Sequence, residues 1–152
     1  NPTRSFKIRG GINLMHHLKA QNIKDVITFS TGNHGLSVAT SAKLLGLNVT
    51  VVVPQGNNPT KNEMIKDTGA TLIEGGTTFE EASKVVEELV KQKDAYYAHP
   101  ADEPHLINGV GSEFLEILED LPSIDAVILP LGGGSEVAAA VTVFKTLKPE
   151  IE

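Results

Sequence analysis

The chain has 152 residues and a formal net charge of −6 at pH 7, from 13 basic and 19 acidic residues. Because the basic residues are spread along the chain, the sequence has no basic cluster that would bind nucleic acid or an anionic membrane. We therefore exclude both partners. The absence of cysteine rules out disulfides and thiolate metal sites. The longest apolar runs, residues 49–53 and 126–131, are too short to cross a bilayer, which predicts a soluble, cytoplasmic protein.

Apolar periodicity predicts an alternation of helices and strands. Apolar residues recur at helical spacing at Ile8, Ile12, Met15 and Leu18. A helix therefore runs from about residue 6 to residue 21 and holds Lys7 in its first turn. Short runs rich in β-branched residues predict strands at 26–29, 49–53, 71–73, 95–98 and 126–131. Helical patterns follow these runs at about 36–45, 59–69, 78–90, 114–121 and 137–147.

This alternation predicts an α/β fold, a three-layer sandwich with a mainly parallel sheet. In such sheets ligands bind beyond the carboxyl ends of the strands. Two loops that follow predicted strands and lead into helices are therefore candidate binding sites, residues 30–34 and residues 132–135.

The loop Gly132-Gly133-Gly134-Ser135 has the form of an anion cradle. Successive glycines let backbone N–H groups converge, and the helix that follows adds its positive end, which favours a phosphate. A tight strand-to-helix turn without a ligand is the alternative. The loop matches neither the dinucleotide-binding fingerprint nor a Walker loop, because the third glycine spacing and a Gly-Lys-Ser/Thr sequence are both missing.

The loop Ser30-Thr31-Gly32-Asn33-His34 is the second strand-to-helix junction, and its N–H groups could hold a carboxylate. Its alternative interpretation is a plain helix cap. Lys7 follows an aromatic residue at a helix start, although a single lysine is more often a solvated side chain. We call residues 30–34 the carboxylate nest and residues 132–135 the phosphate nest. An amine combined with these two nests predicts a site for a phosphorylated cofactor that joins the amine through an aldehyde.

Four ordered motifs cover essentially the whole chain. They are Asn1-Pro2-Thr3-x-Ser5-Phe6-Lys7-x-Arg9-Gly10, Ser30-Thr31-Gly32-Asn33-His34-Gly35, His99-Pro100-x-x-x-Pro104 and Gly132-Gly133-Gly134-Ser135. In this order and at these separations they resemble the serine/threonine dehydratase and serine racemase family of fold-type II, tryptophan synthase beta-like pyridoxal-phosphate enzymes. The resemblance implies the fold of that family, with pyridoxal 5′-phosphate as cofactor.

The resemblance also implies a role for each matching residue. Lys7 is the catalytic residue and holds the cofactor covalently, Phe6 packs against its ring and Asn33 hydrogen-bonds its phenolic oxygen. The phosphate ligands are Gly132, Gly133, Gly134 and Ser135. The substrate carboxylate site is formed, mostly by backbone groups, by Ser30, Thr31, Gly32, Asn33 and His34. No metal site is expected, although His99, Asp102, Glu103 and His105 could be drawn as a cluster in a loop that is otherwise structural.

The implied activity is that of an ammonia-lyase, a dehydratase that converts a β-hydroxy amino acid such as L-threonine or L-serine to a 2-oxo acid and ammonia. A racemase of the same family and a truncated, non-catalytic ligand-binding domain are the alternatives. Three positions depart from the family pattern. Thr31 stands where the racemases have a serine, which favours dehydration; Glu136 follows the phosphate loop; and Val110 replaces a common glutamine.

The resemblance further implies a partial chain. Residues 1–24 and 116–152 are expected to be pieces of a large domain, the first with the cofactor lysine and the second with a strand, the phosphate loop and a helix. Residues 25–115 are expected to form a small α/β domain. The full-length protein is expected to be a homo-oligomer.

Overall fold

The structure is a computed structural model that describes residues 1 and 3–152, apart from the Phe79 side chain. Pro2 of the opening motif therefore lies outside the described residues. The helices and strands are α1 (Lys7–Ala20), β1 (Asp25–Phe29), α2 (Asn33–Leu45), β2 (Asn48–Val53), α3 (Pro59–Lys66), β3 (Thr71–Glu74), α4 (Phe79–Lys93), β4 (Tyr96–Tyr97), α5 (Pro104–Asp120) and α6 (Ser135–Leu147). No helix in this described part of the chain is long and apolar enough to cross a membrane.

The four strands form one parallel sheet in the order β3-β2-β1-β4, which confirms the predicted α/β class. The central strands β1 and β2 pair from Asp25 with Asn48 to Phe29 with Val52. At the edge, β4 pairs with β1 through Tyr96 and Tyr97 alone. Residues 49–53 are all buried, as expected for a strand that is covered on both faces.

Side chains that alternate along the strands divide the core between two faces of the sheet. Val49, Val51 and Val53 pack on one face in a cluster with residues of α1 and α2. Ile27, Phe29 and Val52 pack on the other face against α4. The sheet therefore lies between two helical layers, and its carboxyl edge is left for the loops that follow the strands.

A second, smaller core lies between α5 and α6. The rings of Phe114 and Phe144 meet edge to face, with their centroids 5.4 Å apart. The predicted domain boundary at residues 115 and 116 lies inside the continuous helix α5. The division into a small domain and parts of a large domain stays a prediction.

The predicted strand over residues 126–131 is wrong, because this segment has no regular structure. Only its first part is paired: the Val127 N–H donates to the Glu152 carbonyl at 2.8 Å, and the Glu152 N–H donates to the Asp125 carbonyl at 2.9 Å. Farther on, the Ile128 side chain is 98% exposed. A β-branched run has the propensity for a strand, but a strand also needs a neighbour in a sheet, and none of the described strands lies beside it.

Helix α1 is held between α2 and α5 by contacts that need small residues. A Cβ atom on Gly109 of α5 would lie 2.5 Å from the Arg9 carbonyl oxygen and 2.7 Å from the Gly10 Cα atom. The two helices therefore approach backbone to backbone. Because Lys7 begins α1, this packing also sets the position of Lys7.

Gly109→Ala is expected to lower the free energy of unfolding by roughly 1–3 kcal/mol, because the added methyl group must push α1 away from α5. Gly111→Ala is the matched control in the same helix, where a Cβ atom would meet only Val143 Cγ2, at 3.4 Å. The control should be neutral or more stable by up to about 1 kcal/mol, since alanine favours helix. Urea unfolding of both variants measures the difference; equal stabilities would contradict the proposed packing constraint.

Candidate active site

The start of α1 is fixed by its own loop and by α2. The Asn1 Oδ1 atom accepts the Thr3 N–H at 3.0 Å, and the Asn1 amide donates to the Ser5 carbonyl at 2.9 Å. From α2, the Ser37 hydroxyl donates to the Lys7 carbonyl at 2.5 Å. The Lys7 N–H also donates to Ser5 Oγ at 3.3 Å, so the backbone of Lys7 is held on two sides.

The Lys7 ammonium lies between Phe6 and the glycine loop. Its Nζ donates to Ser135 Oγ at 2.9 Å and lies 4.8 Å from the centroid of the Phe6 ring. Burial lowers the pKa of Lys7 below its ordinary value, and the nearby carboxylate of Glu136 partly offsets this by favouring the charged form. A lowered pKa makes more of the free amine available to react with an aldehyde.

The loop before α2 presents backbone donors at the carboxyl end of β1. The Ser30 hydroxyl accepts the N–H groups of Gly32 at 3.1 Å and Gly35 at 2.8 Å, so Ser30 shapes the loop from inside. Among the described residues, the N–H groups of Asn33 and His34 have no acceptor. Free N–H groups at a helix start suit a carboxylate.

The side chain of His34 is fixed inside the protein. It is 7% exposed, and its Nε2 lies 2.8 Å from Thr28 Oγ1, which in turn donates to the Ala98 carbonyl at 2.7 Å. Burial, followed by the positive charge of Lys7, lowers the pKa of His34 to about 4. The imidazole is therefore neutral near pH 7, and His34 offers a ligand its backbone N–H.

The glycine loop before α6 encloses open space. Gly134 adopts a left-handed conformation with φ 87°, and a Cβ atom on Gly132 or Gly134 would meet no atom within 4 Å. The loop lines a cavity of about 180 Å³ together with Phe6 and Lys7. Free N–H groups in the first turn of α6 and empty space beside them fit a phosphate group.

Lys7 also lines a larger cavity of about 400 Å³, whose wall includes the loop at residues 30–34 and His99, Pro100 and Ala101. The amine thus lies between a carboxylate-type nest and a phosphate-type nest. The structure brings together all of the residues that the sequence predicts for the site. The fold and this arrangement are those of a protein that binds an anionic cofactor with an aldehyde group.

The loop at residues 99–101 is the part of the site that sequence reasoning missed, because it interprets this loop as structural. The available signal was its position directly after a strand, at the same edge of the sheet as the other two loops. The suggested metal cluster does not assemble: Glu103 accepts from the Tyr96 hydroxyl at 2.5 Å, while the His105 ring stacks on His17 at 3.5 Å. Among residues 1 and 3–152, no group of three or more potential ligands could hold a metal ion.

Comparison with known proteins identifies the family. Residues 1–152 match the family described as pyridoxal-phosphate dependent enzyme. The chain belongs to this family, and the resemblance seen in the four motifs is confirmed. The residues at the site fit the cofactor of the family, since an amine, an aromatic ring and a phosphate nest surround one space.

Two curated relatives cover nearly the whole chain. The catabolic L-threonine dehydratase of Staphylococcus aureus (strain USA300) is 39% identical over 150 residues, which is 98% of this chain and 43% of that protein. The L-threonine ammonia-lyase of Thermotoga maritima is 36% identical over 151 residues, or 99% of this chain and 38% of that protein. The chain therefore spans less than half the length of these relatives.

Solved structures show the same fold. Maize serine racemase superposes with a TM-score of 0.92 at 33% identity, over 98% of this chain and 46% of that chain. The processed form of threonine deaminase isoform 2 from Solanum lycopersicum superposes with a TM-score of 0.91 at 34% identity, over 99% and 42%. The predicted fold-type II architecture is confirmed.

Glu136→Gln is expected to lower the pKa of Lys7 further, because it removes the carboxylate that favours the ammonium form. The pH at which Lys7 reacts half-maximally with an amine-labelling reagent should shift downward, as measured by mass spectrometry of the Lys7 peptide. Glu119→Gln on the exposed surface of α5 is the control and should leave the profile unchanged. An unchanged profile in Glu136→Gln would contradict the proposed charge interaction.

The lowered pKa of His34 predicts a stability that depends on pH. Between about pH 4 and pH 6.5 the unfolded state binds a proton that the folded state does not, so stability falls as the pH falls through this window. The slope contributed by His34 is at most about 1.4 kcal/mol per pH unit. Chemical unfolding at several pH values should show a smaller slope in His34→Gln than in the wild type, and equal slopes would contradict this role of His34.

Proposed function

We propose that the protein is a pyridoxal-phosphate-dependent ammonia-lyase that converts a β-hydroxy amino acid, such as L-threonine or L-serine, to a 2-oxo acid and ammonia. The observation that carries the proposal is the position of the Lys7 amine, which lines both cavities between the two anion nests. The names of the relatives, an L-threonine dehydratase and an L-threonine ammonia-lyase, support the substrate class.

In this proposal each loop binds one part of the ligands. The N–H groups at Gly132–Ser135 would hold the cofactor phosphate, Phe6 would pack against the ring, and the Asn33 amide would hydrogen-bond the phenolic oxygen. The loop at residues 30–34 holds the substrate carboxylate through backbone N–H groups. When bound, the cofactor supplies an electron sink for the bond that breaks at the substrate Cα atom.

Lys7 acts as the base that removes the Cα proton. A base needs a free amine, and partial burial lowers the pKa of Lys7 in the direction that favours this form. The buried Ser135 hydroxyl accepts one N–H of the amine at 2.9 Å and so orients the lone pair. The neutral imidazole of His34 adds no competing positive charge beside the amine.

Racemisation is the second candidate, because maize serine racemase is among the similar structures. A racemase needs a second proton donor on the opposite face of the Cα atom. Thr31 lines the substrate cavity, but its hydroxyl makes no hydrogen bond to any described residue that could act as a base for it. This arrangement favours the lyase. A domain that binds ligands without turnover is the remaining alternative.

Lys7→Ala should abolish the absorption band that appears when the purified protein is mixed with pyridoxal phosphate, together with the release of ammonia and a 2-oxo acid from L-threonine or L-serine. Lys24→Ala, which removes an exposed lysine after α1, is the matched control and should retain both. Inversion at Cα without ammonia release would favour the racemase. A band without any turnover would favour the non-catalytic domain, and no band in the wild type would contradict the proposal.

The substrate within the β-hydroxy class, a homo-oligomeric state and a cytoplasmic location stay predictions. They concern the whole protein rather than the residues around Lys7. Product assays with L-serine, L-threonine and 3-hydroxyaspartate would rank the substrates, and the sedimentation coefficient of the purified protein would give the oligomeric state.

A further inference from the structure

We propose that His99 is a substrate-recognition residue that donates its Nε2–H to the β-hydroxyl of the substrate. The inference rests on the proposed function, because the hydroxyl belongs to the substrate class proposed above. It assigns a role to a side chain outside the two loops and the start of α1, which hold the cofactor and the carboxylate.

The hydrogen bonds of the ring fix which nitrogen carries the proton. His99 Nδ1 accepts the N–H groups of Asp102 at 2.8 Å and Ala101 at 3.2 Å. A nitrogen that accepts two N–H groups has no proton of its own, so the imidazole proton lies on Nε2. The ring also meets Tyr97 edge to face, with centroids 5.5 Å apart, which fixes its plane.

The Nε2–H group is available to a ligand. His99 lines the 400 Å³ cavity that Lys7 and the loop at residues 30–34 also line. Among the described residues, none accepts a hydrogen bond from Nε2. A fixed donor that lacks a partner and lines a cavity is suited to bind an acceptor on the ligand.

The geometry of the cavity points to the substrate side chain as that acceptor. With the Cα atom beside Lys7 and the carboxylate on residues 30–34, the Cα atom and one of its substituents are placed. Beyond Lys7 and residues 30–34, the cavity is lined by residues 99–101, Phe29 and Gly133, and His99 is the one of these that brings a polar side chain to the wall. A β-hydroxyl oxygen is the acceptor that a serine or threonine presents to that wall.

The tautomer fixed by these hydrogen bonds argues against His99 as a general acid. Loss of the Nε2 proton from a neutral imidazole would leave an imidazolate, which is a poor product for a proton transfer. His99 therefore binds and orients the hydroxyl, and the proton that leaves with it comes from elsewhere.

Two variants separate recognition from the structural role of the ring. In His99→Asn, the Oδ1 atom can still accept the N–H groups of Ala101 and Asp102, but the donor at the Nε2 position is lost. In His99→Gln, the amide N–H can reach the Nε2 position, but the acceptor for the two backbone N–H groups is lost. His99→Asn should therefore keep its stability and lose recognition of the β-hydroxyl. His99→Gln should lose stability and keep recognition of the β-hydroxyl.

The kinetic test compares L-serine with β-chloro-L-alanine, which has no hydroxyl. His99→Asn should lower kcat/KM for L-serine by roughly three- to tenfold, the value of one neutral hydrogen bond, and change that for β-chloro-L-alanine less than twofold. His99→Gln should keep the ratio of the two substrates near that of the wild type. An unchanged ratio in His99→Asn, or an equal loss for both substrates, would overturn the proposal.

A second readout does not depend on turnover. Long-range ¹⁵N–¹H correlation spectra of the wild-type protein, with the His99 signals identified by their absence in His99→Gln, report the tautomer directly. The expected pattern is a protonated Nε2 and an unprotonated Nδ1 at neutral pH. The opposite tautomer, or a ring protonated on both nitrogens, would overturn the proposal for His99. This readout holds even if the wild type turns over neither substrate. Such a lack of turnover would count against the proposed lyase activity.

Discussion

The packing of α1 between α2 and α5 is the constraint on which the site depends. At this contact a Cβ atom on Gly10 would lie 2.6 Å from the Leu106 carbonyl oxygen, and one on Gly11 would lie 2.4 Å from Ser37 Oγ. Both glycines let α1 approach its neighbours closely. The two anion nests belong to different cores, one at the sheet and one between α5 and α6; α1 packs in the first, and Phe6, directly before α1, packs against the second. Lys7 lies between the nests because it follows Phe6 and begins the helix that packs against α2 and α5.

The electrostatics of the site follow from the same arrangement. Both nests are helix starts, which present free N–H groups and the positive end of a helix to the space around Lys7. Burial disfavours the charged form of Lys7, and Glu136, one residue after the glycine loop, opposes that effect. Glu136 therefore links the pKa of Lys7 to the residues next to the phosphate nest. Its negative charge also lies close to where a phosphate would bind.

Local patterns predict much of the fold and most of the site. The central strands could be predicted because strands buried on both faces have continuous apolar sequences. The position of Lys7 in the first turn of a helix could be predicted from the helical spacing of apolar residues. Features that depend on distant partners could not be predicted. Residues 126–131 have the composition of a strand but no neighbour among the described strands, and Ile12 lies on the apolar pattern yet is 38% exposed.

Side-chain partners depend on tertiary packing in the same way. The pairing of Thr78 and Glu81 predicts a helix cap, and Thr78 does accept the Glu81 N–H at 3.2 Å, but the Glu81 carboxylate turns to the Thr77 N–H at 2.7 Å. The proposed role of His99 could not be predicted from the sequence, because it depends on the loop after β4 lining the same cavity as Lys7.

Covalent trapping of the cofactor tests the position of Lys7 most directly. If Lys7 is the amine that holds the cofactor, borohydride reduction of the protein mixed with pyridoxal phosphate should label one peptide, and fragmentation should place the label on Lys7. Competition with excess inorganic phosphate should weaken the labelling, because the glycine loop holds the cofactor phosphate. A label spread over exposed lysines such as Lys24 and Lys91, or a labelled protein in which Lys7 is unmodified, would contradict the assignment.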